Sequence, residues 1–453
     1  MGCFNSKPND AGAIRRRPGS IGEVAVFVPG LRVPESSEEL PLQPLGDGLP
    51  RRLTERLAAL RNRIIVMAAH EALYMTKPTW RITITQHGGS KSADLLQALE
   101  DYLPTLLGLV KDGSELEDKV QFAWMNQEDD AEDTSMPSAW YEVLSVLHLM
   151  ALLRLSQANS LLVPKTSIEG YHAKVSEENK RASVEIFLKA AGYLECAIQH
   201  VLPKISPEKR WKGLPVDLAE GILKAICMQA LGQNMWNCIL PDKMSMSYGL
   251  VYCQAIDVQL GLAIDSPKAT LAVKRRLACE MVKCWHQAHE SISDLPLLDG
   301  WAEKHRLFVT WKHIEAKAAA YYYHGLILDE GNSEKSHRTA VAALQSAEEF
   351  LKESKAACEA FHAASPVSRR AIHSFRCSSE LLASIRILSP PLWGSMRYLQ
   401  EKIHKESSCK VRINKDLYNK DNIIHDHDSV PPLPDFAVAL KPDEYRLPLP
   451  LTH

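Results

Sequence analysis

The sequence predicts a mainly α-helical protein, an α-solenoid of the tetratricopeptide-like kind, with a small β-sheet near its N-terminal part. Apolar residues recur at helical spacing in one segment after another from about 138 to 362. Only two short segments, 79–85 and 120–124, show the alternation or the bulky residues of a strand. Each helix has an apolar face that must be buried, so successive helices are expected to stack, although no strict repeat of about 34 residues is present.

The predicted helices follow one another along the chain. Ala93–Lys111 lies between the two predicted strands. The apolar run Val143–Leu155 contains His148 and Arg154 and is too short to span a bilayer, so it predicts a buried core helix. Later helices are predicted at 184–198, Leu218–Cys238, Ala272–Ile292, Arg306–Leu328, Arg338–Ala357 and 370–405.

Composition shifts divide the chain into a head, a body and a tail. Residues 1–50 are rich in Gly, Pro and Arg and are expected to form a flexible tether and lead-in. Residues 51–450 are expected to form one domain, with a proline-bounded, weakly patterned insertion at 241–270. Frequent prolines predict an irregular end at 407–453, because proline interrupts helices and central strands.

The N-terminus carries an acylation pattern. Gly2 followed by Ser6 fits N-myristoylation once the initiator Met is removed. One myristoyl chain binds membranes only marginally, so stable attachment needs a second signal. The candidates are S-palmitoylation of Cys3 and attraction of the basic residues Arg15, Arg16 and Arg17 to anionic headgroups. This pattern predicts a cytoplasmic, peripheral membrane protein at an endosome or the plasma membrane.

Composition limits the remaining function classes. The 453 residues carry a formal net charge of -2, which argues against a protein that coats nucleic acid. The ten cysteines form no C-x-x-C pair, and the chain shows no secretion signal, so reduced and mostly buried thiols are expected.

Catalytic signals are weak. His87 precedes Gly88-Gly89-Ser90, similar to an oxyanion loop, but no G-x-S-x-G motif follows, and a surface turn is the simpler interpretation. The run His425-Asp426-His427-Asp428 has too few further ligands for a metal site and is better explained as a polar turn. The sequence therefore predicts neither an enzyme nor a cofactor.

Five segments of the chain form a recognisable series: 225–236, 277–288, 318–325, 340–348 and 420–431. They are an apolar helix with a terminal aromatic residue, two following long helices, a fourth helix and a turn that precedes a proline. In this order they resemble the Bro domain, which Alix, Brox and related endosomal-sorting proteins share, and they are most similar to the Brox-like branch.

The resemblance implies a fold, a partner and a site. The fold is a curved tetratricopeptide-like helical body with a small β-sheet near its start. The partner is the C-terminal amphipathic helix of charged multivesicular body proteins, the filament-forming subunits of ESCRT-III, which would enter an apolar groove. The matching positions are Trp236, Val273 and Leu277, of which the last two stack on one helical face.

Other interpretations stay open at this point. Val273 and Leu277 are equally compatible with ordinary core residues, whereas the size of Trp236 favours the interface. The expected insertion at 241–270 lies between Trp236 and Val273. A helical scaffold for another partner, such as a small GTPase bound by rhophilin-type proteins, is the alternative function. A hydrolase that uses His87 is the third possibility.

Overall fold

The structure is a computed structural model that describes most of the helical body and parts of both ends. The described residues are 26–28, 31–35, 51–76, 88–110, 116–126, 134–162, 175–230, 253–293, 300–364, 396–418, 430–436 and 443–451.

Eleven α-helices are present in the described residues; eight of them overlap helices predicted from the apolar periodicity, and those at 51–76, 207–213 and 253–265 were not predicted. They are α1 (Arg51–Thr76), α2 (Gly88–Leu107), α3 (Ala139–Leu162), α4 (Glu177–Cys196), α5 (Pro207–Gly213), α6 (Glu220–Ala230), α7 (Cys253–Asp265), α8 (Leu271–Ser293), α9 (Gly300–Asp329), α10 (Glu334–Ala363) and α11 (Met396–Tyr418). Consecutive long helices pack side by side, α3 on α4, α8 on α9 and α9 on α10. The predicted helical solenoid is thus confirmed.

A three-stranded antiparallel sheet lies beside the first helices. Its strands β1 (Arg32–Pro34), β2 (Gln121–Asn126) and β3 (Thr134–Pro137) occur in the order β1-β2-β3. Val33 pairs with Met125, and Phe122 pairs with Met136. Strand β2 confirms the strand predicted at 120–124. The other predicted strand, 79–85, lies outside the described residues.

Part of the predicted lead-in belongs to the core. Val26 and Phe27 are almost completely buried. The Phe27 ring stacks on His305, with 5.0 Å between ring centroids, and on Phe308 at 5.4 Å. Strand β1 also comes from this region. Residues 26–28 and 31–35 are therefore packed on the body rather than part of a tether, because Phe27 packs against α9 and Arg32–Pro34 pair with β2.

Helix α3 is largely buried. Of the described helices, it alone is long and apolar enough to cross a membrane, but 83% of its apolar window lies inside the protein. The buried residues of α3 run from Ala139 to Ala158 and include Val143, Leu147 and Met150. The prediction of a buried core helix is confirmed.

The segment expected to be an insertion contains a packed helix. Within 241–270, residues 253–265 form α7, which packs between α4 and α8. Ala255, Ile256 and Leu260 on α7 are fully buried. Residues 241–252 lie outside the described part of the chain. The weak pattern of 253–265 has a simple cause, because a short helix with one buried face shows few periodic positions. That 241–270 is an insertion stays a prediction.

The tail begins later than predicted. Helix α11 continues to Tyr418, so residues 407–418 are helical and not irregular. Glu406 on α11 accepts a hydrogen bond from the Tyr322 hydroxyl on α9 at 2.5 Å, which holds α11 to the body.

The described residues after α11 have no helix or strand, as the prolines predict. The segment 443–451 packs against α2 and α4. The Leu451 N–H donates to the Pro104 carbonyl at 3.0 Å, and the Tyr445 ring contacts Tyr193 edge-on at 4.6 Å. Gly192 on α4 has no space for a Cβ because the Asp443 carbonyl lies against it.

Candidate partner-binding face on helix α8

The first two turns of α8 carry an open apolar pair. Thr270 precedes the helix, and its side-chain hydroxyl accepts a hydrogen bond from the Val273 N–H at 3.4 Å. Val273 is 47% exposed, and Leu277 is half-buried with its inner side packed on the core. Four residues separate them, so they stack on one face. Together they form a small apolar surface, named here the α8 face (Val273 and Leu277).

Further along α8, the residues on the same side of the helix are buried. Glu280 and Cys284 continue the spacing of Val273 and Leu277, and both are buried. The Cys284 thiol donates to the Glu280 carbonyl at 2.8 Å. Burial raises the pKa of the Glu280 carboxyl, and the ammonium of Lys283 at 3.2 Å opposes the rise. The apolar face is therefore limited to about two helical turns at the N-terminal end of α8.

Basic residues surround the α8 face. Lys274, Arg275 and Arg276 lie between its two members, and Arg276 is exposed. The rim of the face is therefore positive, which favours a partner that combines apolar side chains with acidic flanks.

The segment 430–436 packs along one flank of α8, a feature that sequence reasoning missed. The Lys283 ammonium pairs with the Asp435 carboxylate and donates to the Phe436 carbonyl at 2.7 Å. The Arg275 guanidinium lies over the Phe436 ring, 5.4 Å from its centroid. Phe436 and Leu433 are apolar residues in a proline-rich stretch, and this is the only sequence signal that could have indicated a packed segment.

The other predicted functional residues lie outside the described residues. These are the third groove residue Trp236, the acylation sites Gly2 and Cys3, and the basic run Arg15, Arg16 and Arg17. Their roles stay predictions. Helix α6 ends at Ala230, so the described part of the chain stops six residues before Trp236 in sequence order.

The weak catalytic signals gain no support from the described residues. Gly88-Gly89-Ser90 begins α2 and is helical rather than a surface turn, while His87 lies outside the described part of the chain. The turn at 425–428 also lies outside it. Among the described residues, no group of three or more His, Cys, Asp or Glu side chains is arranged to hold a metal ion.

The geometry resembles solved Bro1 domains. The sequence matches no protein-family profile and no curated protein. Its fold is similar to the Bro1 domain of ALIX in a complex with CHMP4C, with 15% identity, a TM-score of 0.54 and coverage of 93% of this chain and 96% of that one.

Two further structures share the fold. One describes the basis of endosomal targeting by the Bro1 domain, with 15% identity, a TM-score of 0.51 and coverage of 89% and 90% of the two chains. The other is ALIX bound to the SIVmac239 PYKEVTEDL late domain, with 15% identity and a TM-score of 0.56; it covers 93% of this chain and 49% of that one. At this identity the similarity concerns the fold, and the fold of this chain is that of a Bro1 domain.

Proposed function

We propose that this protein is a non-enzymatic, membrane-tethered adaptor of the Brox-like branch, whose Bro domain binds the C-terminal amphipathic helix of ESCRT-III subunits. Its role would lie in endosomal sorting or membrane remodelling. The observation that carries the proposal is the α8 face, which contains Val273, the large apolar residue of α8 that is most exposed, stacked beside the half-buried Leu277. The similarity to the ALIX Bro1 domain in a CHMP4C complex supports the choice of partner.

The chemistry of the α8 face suits such a helix. An amphipathic helix presents apolar residues at i, i+3, i+4 and i+7, which match a narrow apolar strip. Its acidic positions would meet the basic rim of Lys274, Arg275 and Arg276. Trp236 is the third proposed groove residue, since it would supply a large aromatic anchor of the kind that dominates interface energies.

The binding test uses the full chain and fluorescent C-terminal peptides of the charged multivesicular body proteins. Leu277→Asp and Val273→Asp are each expected to weaken binding about thirtyfold or more, because an unpaired carboxylate would face apolar side chains of the partner. Both variants should melt close to the wild-type temperature, since neither residue is fully buried.

Ile413→Asp is the matched control, because Ile413 on α11 has the same 47% exposure as Val273. It should bind like wild type. Equal loss of binding in the control, or retained binding by both α8 variants, would contradict the proposed site. Collapse of the Leu277→Asp melt would mean that this residue is core.

The proposed tether is tested separately. Gly2→Ala should move most of the protein from the membrane to the soluble fraction, because the first lipid brings Cys3 to the bilayer. Cys3→Ser should leave weak, exchangeable binding, since one acyl chain is marginal. Removal of the charges at Arg15, Arg16 and Arg17 should weaken binding to anionic vesicles alone. Unchanged membrane fractionation of Gly2→Ala would rule out the lipid anchor.

A further inference from the structure

Helix α11 lies on the outside of the helical body and presents basic residues to solvent. Its inner side packs on α9 and α10, with Leu399, Ile403 and Ser407 fully buried. Its outer side carries exposed residues at the three- and four-residue spacing of one helical face. This surface, named here the α11 stripe, consists of Lys402, Lys405, Cys409, Arg412 and Ile413.

The three cations of the α11 stripe are unpaired. The side chains of Lys402, Lys405 and Arg412 form neither an ion pair nor a hydrogen bond with residues that the structure describes. Each of them is exposed, so its charge acts on what lies outside the protein. From Lys402 to Arg412 the stripe is about 15 Å long, at about 1.5 Å of rise per residue. A surface of this length faces several anionic groups rather than a single phosphate.

The carboxylates near α11 do not cancel this charge. Asp329 pairs with Lys410, and Glu348 pairs with His404 at 3.2 Å, so both acids already have cationic or histidine partners. Glu401 is the one exposed acid among the described side chains of α11, and it lies at the edge of the stripe. The stripe is therefore positively charged.

An anionic membrane fits the α11 stripe better than a nucleic acid does. None of its five residues is aromatic, so it offers no ring on which a base could stack. The whole chain carries a formal net charge of -2, which is unlike a protein that coats nucleic acid. Ile413, which is 47% exposed, places an apolar side chain beside Arg412, and this combination suits the boundary between headgroups and acyl chains.

The proposed lipid tether is long enough to bring the α11 stripe to a membrane. The stretch from Gly2 to Val26 can span at most about 80 Å. Phe27 packs on Phe361 of α10, and Glu348, which pairs with α11, lies about 20 Å further along the same helix. The stripe therefore lies within reach of a bilayer that holds Gly2.

We propose that the α11 stripe is a second membrane contact, which binds anionic lipid headgroups through Lys402, Lys405 and Arg412. Each cation near an anionic surface strengthens binding about fivefold. The contact orients the helical body against the bilayer that the N-terminal lipids would hold, so the inference rests on the tether in the proposed function.

The test uses the full chain produced without N-myristoylation, so that the α11 stripe is measured apart from the lipid anchor. Co-sedimentation measures binding to vesicles of phosphatidylcholine mixed with phosphatidylserine. The double variant Lys405→Gln with Arg412→Gln should bind about thirtyfold more weakly than the wild type. The matched control, Lys119→Gln with Lys189→Gln, removes two exposed charges outside α11 and should bind like the wild type. All four side chains are exposed, so both variants should melt like the wild type.

Protection of Cys409 shows where the membrane touches the protein. This exposed thiol lies in the middle of the α11 stripe, so its alkylation by a water-soluble maleimide should slow on the anionic vesicles but not on pure phosphatidylcholine. Mass spectrometry of the Cys409 peptide measures the rate.

Equal vesicle binding by the two double variants, or unchanged alkylation of Cys409 on anionic vesicles, would overturn the proposal. So would a loss at Lys405 and Arg412 that appears with single-stranded RNA but not with vesicles, since the partner would then be a nucleic acid. None of these outcomes involves the lipid at Gly2. Failure of the tether appears separately, as unchanged membrane fractionation of Gly2→Ala.

Discussion

The sheet-bearing end of the molecule, formed by α1 to α3 and the three-stranded sheet, contains the buried charge of Glu142. The helical body, formed by the later helices, contains the buried charge of Lys312. The two charges are neutralised in different ways. The Glu142 carboxylate on α3 accepts hydrogen bonds from Arg61 of α1 at 3.1 Å, Tyr102 of α2 at 3.0 Å and Trp124 of β2 at 2.5 Å. One side chain therefore connects three helices and the sheet. Its partners come from positions 18 to 81 residues away in the chain.

Lys312 on α9 has fewer partners, and one of them lies on its own helix. Its ammonium donates to Glu315, one turn later on the same helix, at 2.5 Å, and pairs with Asp257 of α7 at 3.4 Å. Burial alone would lower the pKa of Lys312, but Glu315 and Asp257 outweigh it and raise the pKa above its ordinary value. The sheet-bearing end thus depends on one carboxylate hub with three donors, whereas the helical body uses a three-residue ion cluster between α7 and α9.

The two networks also differ in what remains when the central charge is removed. Loss of Glu142 would leave the Arg61 guanidinium, which cannot lose its proton in a protein. Loss of Lys312 would leave two carboxylates, which can become neutral by taking up protons. Removal of the Glu142 charge should therefore lower the free energy of unfolding more than removal of the Lys312 charge.

Glu142→Gln is expected to have the largest effect, about 5 kcal/mol of lost unfolding free energy, at the upper end for breaking a buried pair. The amide keeps the size of the side chain but leaves the buried Arg61 guanidinium without a counter-charge, with the Glu35 and Ala123 carbonyls as its remaining partners. The NH2 group of the amide also competes with a donor partner. Urea unfolding at neutral pH measures the loss. The exposed helical residue Glu185 supplies the control Glu185→Gln, which should change stability by less than about 0.5 kcal/mol. A loss at Glu142 as small as that of the control would mean that the hub does not hold this end together.

Lys312→Met is expected to cost about 3 kcal/mol at neutral pH, since it leaves two buried carboxylates. Burial already raises the pKa of Glu315, with Lys312 opposing the rise, so removal of Lys312 should raise it further. A folded-state pKa above the unfolded value means that the penalty is largest at high pH and shrinks as the pH falls and Glu315 is protonated. Urea unfolding at pH 7.5 and pH 5 tests this, with Lys317→Met on the same helix as the control. A penalty independent of pH would show that the carboxylates are not the cause.

Sequence patterns predicted the helical body well because helix periodicity is local. The run Val143–Leu155 needs no other part of the chain to show that it is apolar on all sides, and α3 is buried accordingly. Strand β1 was not predicted, because its pairing, Pro34 with Trp124, joins residues far apart in sequence. The burial of Phe27 depends likewise on a pocket beside α9.

The candidate site was predictable to the same extent. The spacing of Val273 and Leu277 indicates a shared face from the sequence alone, and α8 presents them as expected. Whether that face is open depends on neighbouring elements. Helix α7 and the segment 430–436 both pack against α8, and neither contact has a local signature.

His148→Gln tests the junction between the two regions and should have the smallest effect. His148 is buried beside Arg32 and Asp217, and burial followed by Arg32 lowers its pKa from about 6.5 to about 3. Because the folded-state pKa is below the unfolded one, the stability from the neutral ring is complete above pH 6.5 and is lost as the pH falls toward 3.

At pH 5 this loss amounts to about 2 kcal/mol for one histidine. The variant has no histidine at this position and does not show this loss. The difference in unfolding free energy between wild type and His148→Gln should therefore shrink by about that amount between pH 7 and pH 5, as measured by urea unfolding. The exposed His200 provides the control His200→Gln. If the difference stays constant with pH while the control behaves like wild type, His148 is not held neutral, and the junction between the sheet-bearing end and the helical body must tolerate a charge.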